Sequence, residues 1–423
     1  MKEEFIAFLW NNCLLYPENL ITIDGDKVNI LHPGHINTNS GPDFFAAKIR
    51  IKDTIWVGNV EIHVFSSDWI KHGHHLDGAY DNIILHLVYS NDKTVCNSKG
   101  LTMPTLEIKD RFDPRLYKNY SALKLSANWI ACQHSICQVD DLIIGNWLNR
   151  LLIERLERKT REVLQFYHYF SHDWENTCYY LLARNFGFKV NASPFSLLAQ
   201  KTPRTILMKN RDKLEILEAI LFGQAGMLEA TFSDPYPTKL KNEYKYQRIK
   251  HKLEPISKDL WRFARMRPVN FPTLRIAQFA MVLHQTGNLF RKIIEAESIE
   301  ELNALFGVAA SPYWNYHYRF DQPSTHVEKN IGTAALNNMI INTVVPILFI
   351  YGKETINNQL SDKAIQFLHA LAPEDNLVIR KWKALGLAPH NAADTQALLE
   401  LRKYFCISKR CLHCSIGYQI IYQ

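Results

Sequence analysis

From Gly41 to Val64 the chain reads GPDFFAAKIRIKDTIWVGNVEIHV, and no other stretch constrains the fold as strongly. Ala47, Ile49 and Ile51 alternate along one arm and Ile55 and Val57 along the other, which is the period of a strand and not of a helix. Lys52-Asp53-Thr54 supplies turn residues between them, so the segment is predicted to be a β-hairpin. A turn of that length sets Ile51 opposite Ile55, Phe45 opposite Glu61 and Asp43 opposite His63. On this register Asp43, Glu61 and His63 share one face at the open end of the hairpin. Directly opposed Cβ atoms lie about 5 Å apart and diagonal ones about 7–8 Å, so the three side chains converge. A slip of one residue would send Asp43 to the other face.

The segments around the hairpin continue the strand pattern. Asn19–Ile23 and Lys27–Leu31 flank Asp24-Gly25-Asp26 and read as a pair. Ile83–Tyr89 is apolar throughout, as a strand buried on both faces would be, and is expected at the centre of the sheet. Met103–Ile108 reads as a further strand, and MKEEFIAFLWNN as an amphipathic first helix. From about Asp140 the period becomes helical. Trp147, Leu148, Leu151, Leu152, Leu156, Val163 and Leu164 form a stripe, and Asp173 and Gly187 bound a helix as N-cap and C-terminal stop. The expected organisation is an α/β or α+β domain with a mixed sheet over residues 1–120. A larger, mostly α-helical domain over 121–423 follows, closed by a C-terminal cysteine motif.

Composition narrows the classes. A hydrophobic fraction of 47% with 22% charged residues describes a globular chain. The longest apolar candidate, Met339–Tyr351, is interrupted by Asn342 and Pro346 and is expected to be a buried helix, not a membrane span. Glu3 and Glu4 stand where a secretory leader would be basic, so a cytoplasmic location and no membrane partner are expected. Eight cysteines in 423 residues are too few for a disulfide scaffold. The net charge of +7 permits nucleic-acid binding without requiring it. No Gly-x4-Gly-Lys-Ser/Thr loop, Gly-x-Gly-x-x-Gly turn or Gly-x-Ser-x-Gly elbow occurs, which disfavours nucleotide hydrolysis, dinucleotide redox and serine-hydrolase chemistry.

Four constellations carry chemistry. Asp43 and Glu61 are anionic oxygens on neighbouring strands, suited to a divalent cation such as Mg or Mn, with His63 as base or further ligand. A histidine group (His32, His35, His63, His72, His74, His75 and His86) crowds the same region. His72-Gly73-His74-His75 can donate from a loop to the hairpin mouth, which would favour Zn. His86, in a buried strand, reads as a hydrogen-bonded core residue. Cys406-x4-Cys411-x2-Cys414 needs a fourth ligand, which Cys132, or Cys137 beside it, at the domain boundary can supply, with His413 nearer in sequence but less well spaced, giving a structural Zn or iron–sulfur site. The segment 239–255 concentrates Lys241, Lys245, Arg248, Lys250 and Lys252 with Tyr244 and Tyr246 between them, a pattern suited to a phosphate backbone and its bases, DNA or RNA. A solvated helix face is the competing reading of that pattern.

Pro42-Asp43, a strand, then Glu61-Ile62-His63 resembles the PD-(D/E)xK nuclease core, with His in place of the motif's Lys; the cysteine arrangement is similar in kind to the staple of iron–sulfur nucleases. Over nearly its full length the chain also resembles a bacterial family known only as a domain of unknown function, through HPGHINTNSGPDF, GNVEIHVFSSDW, AYDNIILHLVY, RPVNFPTLRIAQFA and CISKRCLHCSIG. That resemblance implies no activity. The expected function is a metal-dependent phosphodiesterase or nuclease. Asp43 and Glu61 would hold the cation and His63 would activate water. The alternatives are a non-catalytic, metal-stapled nucleic-acid- or protein-binding protein and a zinc-dependent hydrolase of a small molecule.

Overall fold

In the computed structural model, which describes residues 1–423, the hairpin forms from β3 (Phe44–Ile51) and β4 (Thr54–Phe65). Its register differs from the expected one by a residue. Ile51 pairs with Thr54, Arg50 with Ile55 and Lys48 with Val57, because the turn holds only Lys52 and Asp53, with Lys52 at a φ of +55°. The slip turns Ile55 and Val57 outward, where they lie exposed beside Lys48 and Arg50, while Ala47, Ile49 and Ile51 face the core as expected. A second shift follows between Phe44 and Ala47, after which Phe44 pairs with Val60. Ala46 at a φ of +53° marks this bulge. Gly34 seals it: at a φ of +91° its absent Cβ would lie 2.5 Å from the Phe45 carbonyl oxygen, so no other residue fits without moving the strand.

The other strands of this sheet are β1 (Val28–His32), β2 (His35–Ile36), β5 (Ile83–Ser90) and β6 (Thr105–Glu107). They order as β1-β3-β4-β5-β6, with β2 beside β3. β3 is antiparallel to β1 and β4, whereas β4, β5 and β6 run parallel. Val28 inherits the Asp24-Gly25-Asp26 turn, but its partner arm contributes only the bridge between Ile21 and Lys27. β5 is parallel to both neighbours and buried over Ile83–Val88, which explains its uninterrupted apolar run. Helix α1 (Glu3–Asn11) buries Phe5, Ile6, Leu9 and Trp10 completely.

The chain divides into two compact units, Met1–Trp147 with Leu401–Gln423, and Leu148–Glu400. The break expected near residue 120 therefore lies at residue 147, inside the helix Asp141–Tyr169, and residues 401–423 fold with the first unit. There the C-terminal helix Ser415–Tyr422 packs on Pro114–Leu125: the Asn119 amide donates to the carbonyls of Ile420 and Ile421, and the Phe8 and Tyr418 rings meet at 5.6 Å. The second unit is helical, and Glu400 is its buried hub, accepting from the guanidinium groups of Arg155 and Arg158. The apolar stretch Met339–Tyr351 lies, as expected, in a mostly buried helix, Thr333–Glu354, whose most apolar 18-residue window has a mean hydropathy of 1.6 and is 72% buried. Asn342 and Pro346 do not break it, because residues Ile340–Val344 widen into a π turn just before the proline. A π turn absorbs the missing proline N–H and ring without ending the helix.

Candidate metal centre

The bulge and the shortened turn decide which side chains meet. Past the bulge Asp43 stands against Glu61 and not against His63. The Asp43 amide donates to Glu61 Oε2 at 3.1 Å, and the Ile62 amide donates to Asp43 Oδ2 at 3.0 Å. Each carboxylate is thus tied to the other strand through one oxygen, so both are held in place. β4 is an interior strand, and its odd-numbered side chains Glu61 and His63 share one face with only 6% and 1% exposure.

The loop after β4 closes over that face. The one-turn helix α2 (Asp68–Lys71) is followed by Gly73 at a φ of +78°, which reverses the chain and aims His72 and His74 back at the sheet. His63 Nε2 lies 3.1 Å from His72 Nδ1, and His74 Nε2 lies 3.2 Å from Glu61 Oε1. His63 Nε2 is 3.9 Å from the same oxygen. One ligand atom from each of His63, His72 and His74 falls within 4.8 Å of the others. A tetrahedral zinc site with arms of about 2.0–2.1 Å has ligand–ligand edges of about 3.3 Å. The His63–His72 separation of 3.1 Å is close to that figure, and Glu61 Oε1 lies beside the group, 3.2 Å from His74 and 3.9 Å from His63. A nitrogen-rich set with a single carboxylate oxygen suits zinc or another transition ion better than magnesium.

Behind these groups His63 Nδ1 meets His86 Nε2 at 2.9 Å, so His86 is the hydrogen-bonded core residue expected from β5 and fixes the His63 ring. Trp69, completely buried, packs edge-on to His63 and donates its indole N–H to the Cys96 carbonyl. The Tyr80 ring stacks 3.8 Å from that of His74.

Electrostatics follow from this enclosure. Burial, then the neighbouring Asp43 charge, pushes the Glu61 carboxyl up to about 8. Burial also raises Asp43, against the Ile62 amide and His72, which lower it. Burial and then the surrounding imidazoles push His63 down to about 3, His86 to about 3 and His74 to about 4. His63, His74 and His86 are therefore in the neutral form, and Glu61 resists ionising unless a positive charge is beside it. A divalent ion reverses that resistance. His63, with both ring nitrogens against other imidazoles, has the surroundings of a ligand and not of a proton acceptor.

Glu3, at the start of α1, was not legible as part of this centre. Its carboxyl is raised by burial, held down by His72 and raised by Asp43 and Asp68, and it in turn raises Glu61. In the sequence it reads only as an acid in the first turn of a helix, and no local signal links it to residues forty or more positions away.

Within the same unit Cys132, Cys406, Cys411 and Cys414 approach one another. Burial first and the other cysteines next push Cys132 up to about 12, and the same two causes raise Cys406. Burial raises Cys414 to about 11, while the Ile416 and Gly417 amides at the start of helix Ser415–Tyr422 donate to its sulfur. Cys406 ends a π turn, Leu401–Cys406, and Gly417 is required beside Cys411: a Cβ there would lie 2.2 Å from the Cys411 carbonyl oxygen. No disulfide links any of the eight cysteines.

The predicted nucleic-acid residues lie on the helix Pro235–His251 and its cap in the second unit. Lys245, Arg248, Lys250 and Lys252 are exposed together with Tyr246, over which the Lys250 ammonium sits at 5.6 Å. Lys241 is different, since its ammonium donates to the carbonyls of Glu229 and Ala230 and fastens a loop. Tyr244 is buried against Gly223, where a Cβ would overlap its ring at 2.1 Å, so it is not a stacking platform.

Residues 3–377 match the family described as "Protein of unknown function (DUF2851)", and the chain belongs to that family. No curated protein and no solved structure matches it.

Proposed function

We propose that the first unit is a metal-dependent phosphodiesterase acting on nucleic acid, with His63, His72 and His74 as the cation ligands, Glu61 beside them and a coordination position left for water. The single observation carrying this reading is that three imidazoles from β4 and one loop converge within 4.8 Å of one another, with the buried Glu61 carboxylate 3.2 Å from His74. A bound divalent ion supplies Lewis acidity toward a phosphoryl oxygen and lowers the pKa of a coordinated water. The chain's own contribution is positional. Asp43, pinned through Oδ2 by the Ile62 amide, keeps Oδ1 to accept a proton. His86 holds the His63 ring, and Trp69 and Tyr80 keep bulk water from the inner side. Separately, the second unit carries an exposed basic face with Lys245, Arg248, Lys250 and Lys252, suited to a phosphate backbone.

The test is cleavage of plasmid and single-stranded DNA or RNA by purified protein with zinc, manganese or magnesium. Activity with zinc or manganese that Asp43→Asn abolishes while metal content is unchanged supports the proposal. Salt-sensitive binding without cleavage selects the non-catalytic reading. Hydrolysis of small phosphate or carboxylate esters without nucleic-acid cleavage selects the small-molecule zinc hydrolase.

The four cysteines form, on the same reading, a structural metal site. What supports it is their convergence from distant positions and the amide N–H donors at the Cys414 sulfur, an arrangement suited to thiolates and wasted on protonated thiols. Metal analysis with the visible spectrum decides between zinc and an iron–sulfur cluster; metal-free protein with four freely alkylated thiols overturns the assignment.

A further inference from the structure

The second unit contains a cavity of about 560 Å³ bounded by the helices Asp141–Tyr169, Trp174–Phe186 and Thr333–Glu354, a volume in the range of small-molecule sites. Its lining is two-sided. Lys159, Arg184 and Lys189 contribute three cations against one acid, Glu162, which Arg184 already engages at 2.5 Å. The opposite character comes from Phe188, Pro346 and small apolar neighbours. The π turn Ile340–Val344 forms part of the wall and presents Asn342, whose Oδ1 accepts from the Lys159 ammonium. The Asn342 amide is itself fixed by donating to the Asn338 carbonyl at 3.0 Å. Phe188 has a φ of +49°, a left-handed conformation that a bulky residue rarely holds, and its ring is braced under the Arg275 guanidinium at 4.7 Å. A widened helical turn, a strained aromatic residue and an ammonium with N–H groups to spare all face one cavity, a concentration of exceptions typical of ligand sites.

We propose that this cavity binds a small phosphate ester with a planar apolar body, of the size of a nucleoside monophosphate, its phosphate against Lys159, Arg184 and Lys189 and its body along Phe188 and Pro346. The site lies wholly in the second unit and does not depend on the metal centre of the first.

Lys159 makes the binding proton-linked. Its ammonium is pushed down to about 7, by burial first and then by Arg155, with Arg158 acting in the same direction and Glu162 and Glu374 opposing. A phosphate dianion beside it restores the charged form, so ligand binding draws in a proton near neutral pH.

The experiment is calorimetric titration of the full chain with AMP, and separately with inorganic phosphate, at pH 7.5 in two buffers of different ionisation enthalpy. The expected result is AMP binding at least tenfold tighter than phosphate, with net proton uptake. Lys159→Met should abolish the uptake and weaken AMP about tenfold or more. Lys189→Ala, on an exposed residue that folding does not need, should weaken AMP severalfold, and Asp43→Asn should leave it unchanged. No AMP binding at millimolar concentration, equal affinity for phosphate and AMP, or unaltered binding in Lys189→Ala and Lys159→Met overturns the proposal.

Discussion

Replacing Glu61 by Gln in metal-free protein should remove a specific pH dependence of stability. Glu61 is 6% exposed and its carboxyl is raised in the fold to about 8 from 4.5. Between these values the native state holds a proton that the unfolded chain has released, so stability falls as pH rises. The histidines act with the opposite sign. His63, His74 and His86 are depressed to about 3 or 4 from 6.5, so below pH 6.5 the unfolded chain binds protons that the native state refuses, and stability falls as pH drops. The two effects place the optimum of the metal-free protein near pH 6.5. From pH 6.5 to 8 only the Glu61 term operates among these groups, and at about 1.4 kcal/mol per pH unit the loss is about 2 kcal/mol. For a unit of roughly 150 residues that is a fall in Tm of about 4–8 °C. The assay is thermal unfolding of chelator-treated wild type and Glu61→Gln across pH 5 to 9, followed by near-ultraviolet circular dichroism. Wild type should lose stability above pH 6.5 and recover it with zinc, whereas Glu61→Gln should show neither the loss nor most of the recovery. Parallel Tm profiles in the two proteins, or equal stabilisation of both by zinc, would refute the placement of Glu61 beside the cation.

Three further outcomes are expected. His74→Asn should weaken zinc binding by about 10- to 100-fold, measured by competition with a chromophoric chelator, while Asp43→Asn leaves it within a few-fold. Gly417→Ala should open the cysteine site, because the new methyl group meets the Cys411 carbonyl at 2.2 Å. Metal content should drop as it does in Cys406→Ser, and Tm should fall by several degrees. Alanine at Lys245, Arg248 and Lys250 together should weaken single-stranded DNA binding about tenfold and lower the salt slope by roughly 2. Lys241→Ala should leave both unchanged, since that ammonium is spent on the carbonyls of Glu229 and Ala230.

Period and turn chemistry made the hairpin, the buried β5 and the change to helix near Asp140 legible, because each rests on local alternation. The register was not legible, because it depends on two single-residue events. Lys52 adopts a left-handed φ that shortens the turn, and Ala46 does the same to create the bulge. Neither lysine nor alanine advertises that conformation, and together they exchange Asp43's partner from His63 to Glu61. The loop histidines were readable as donors by type, whereas their aim depends on Gly73 and on the packing of Trp69 and Tyr80. Glu3 and the cavity around Lys159 arise from tertiary contacts between distant segments and leave no local trace. The helix over Thr333–Glu354 was legible from its apolar run, but the π turn before Pro346 was not.

The division of the chain has a consequence for biogenesis. The first unit is assembled from both ends of the sequence, so a ribosome releases the whole of Leu148–Glu400 before the residues that complete it are made. The helix Ser415–Tyr422 and the three C-terminal cysteines arrive last. Until then Phe8, Asn119 and Cys132 lack their partners. The contiguous second unit can fold during synthesis, and its folding shortens the span that the ends must close. A nascent chain arrested before residue 401 should therefore expose its β-sheet unit to proteolysis while the helical one resists.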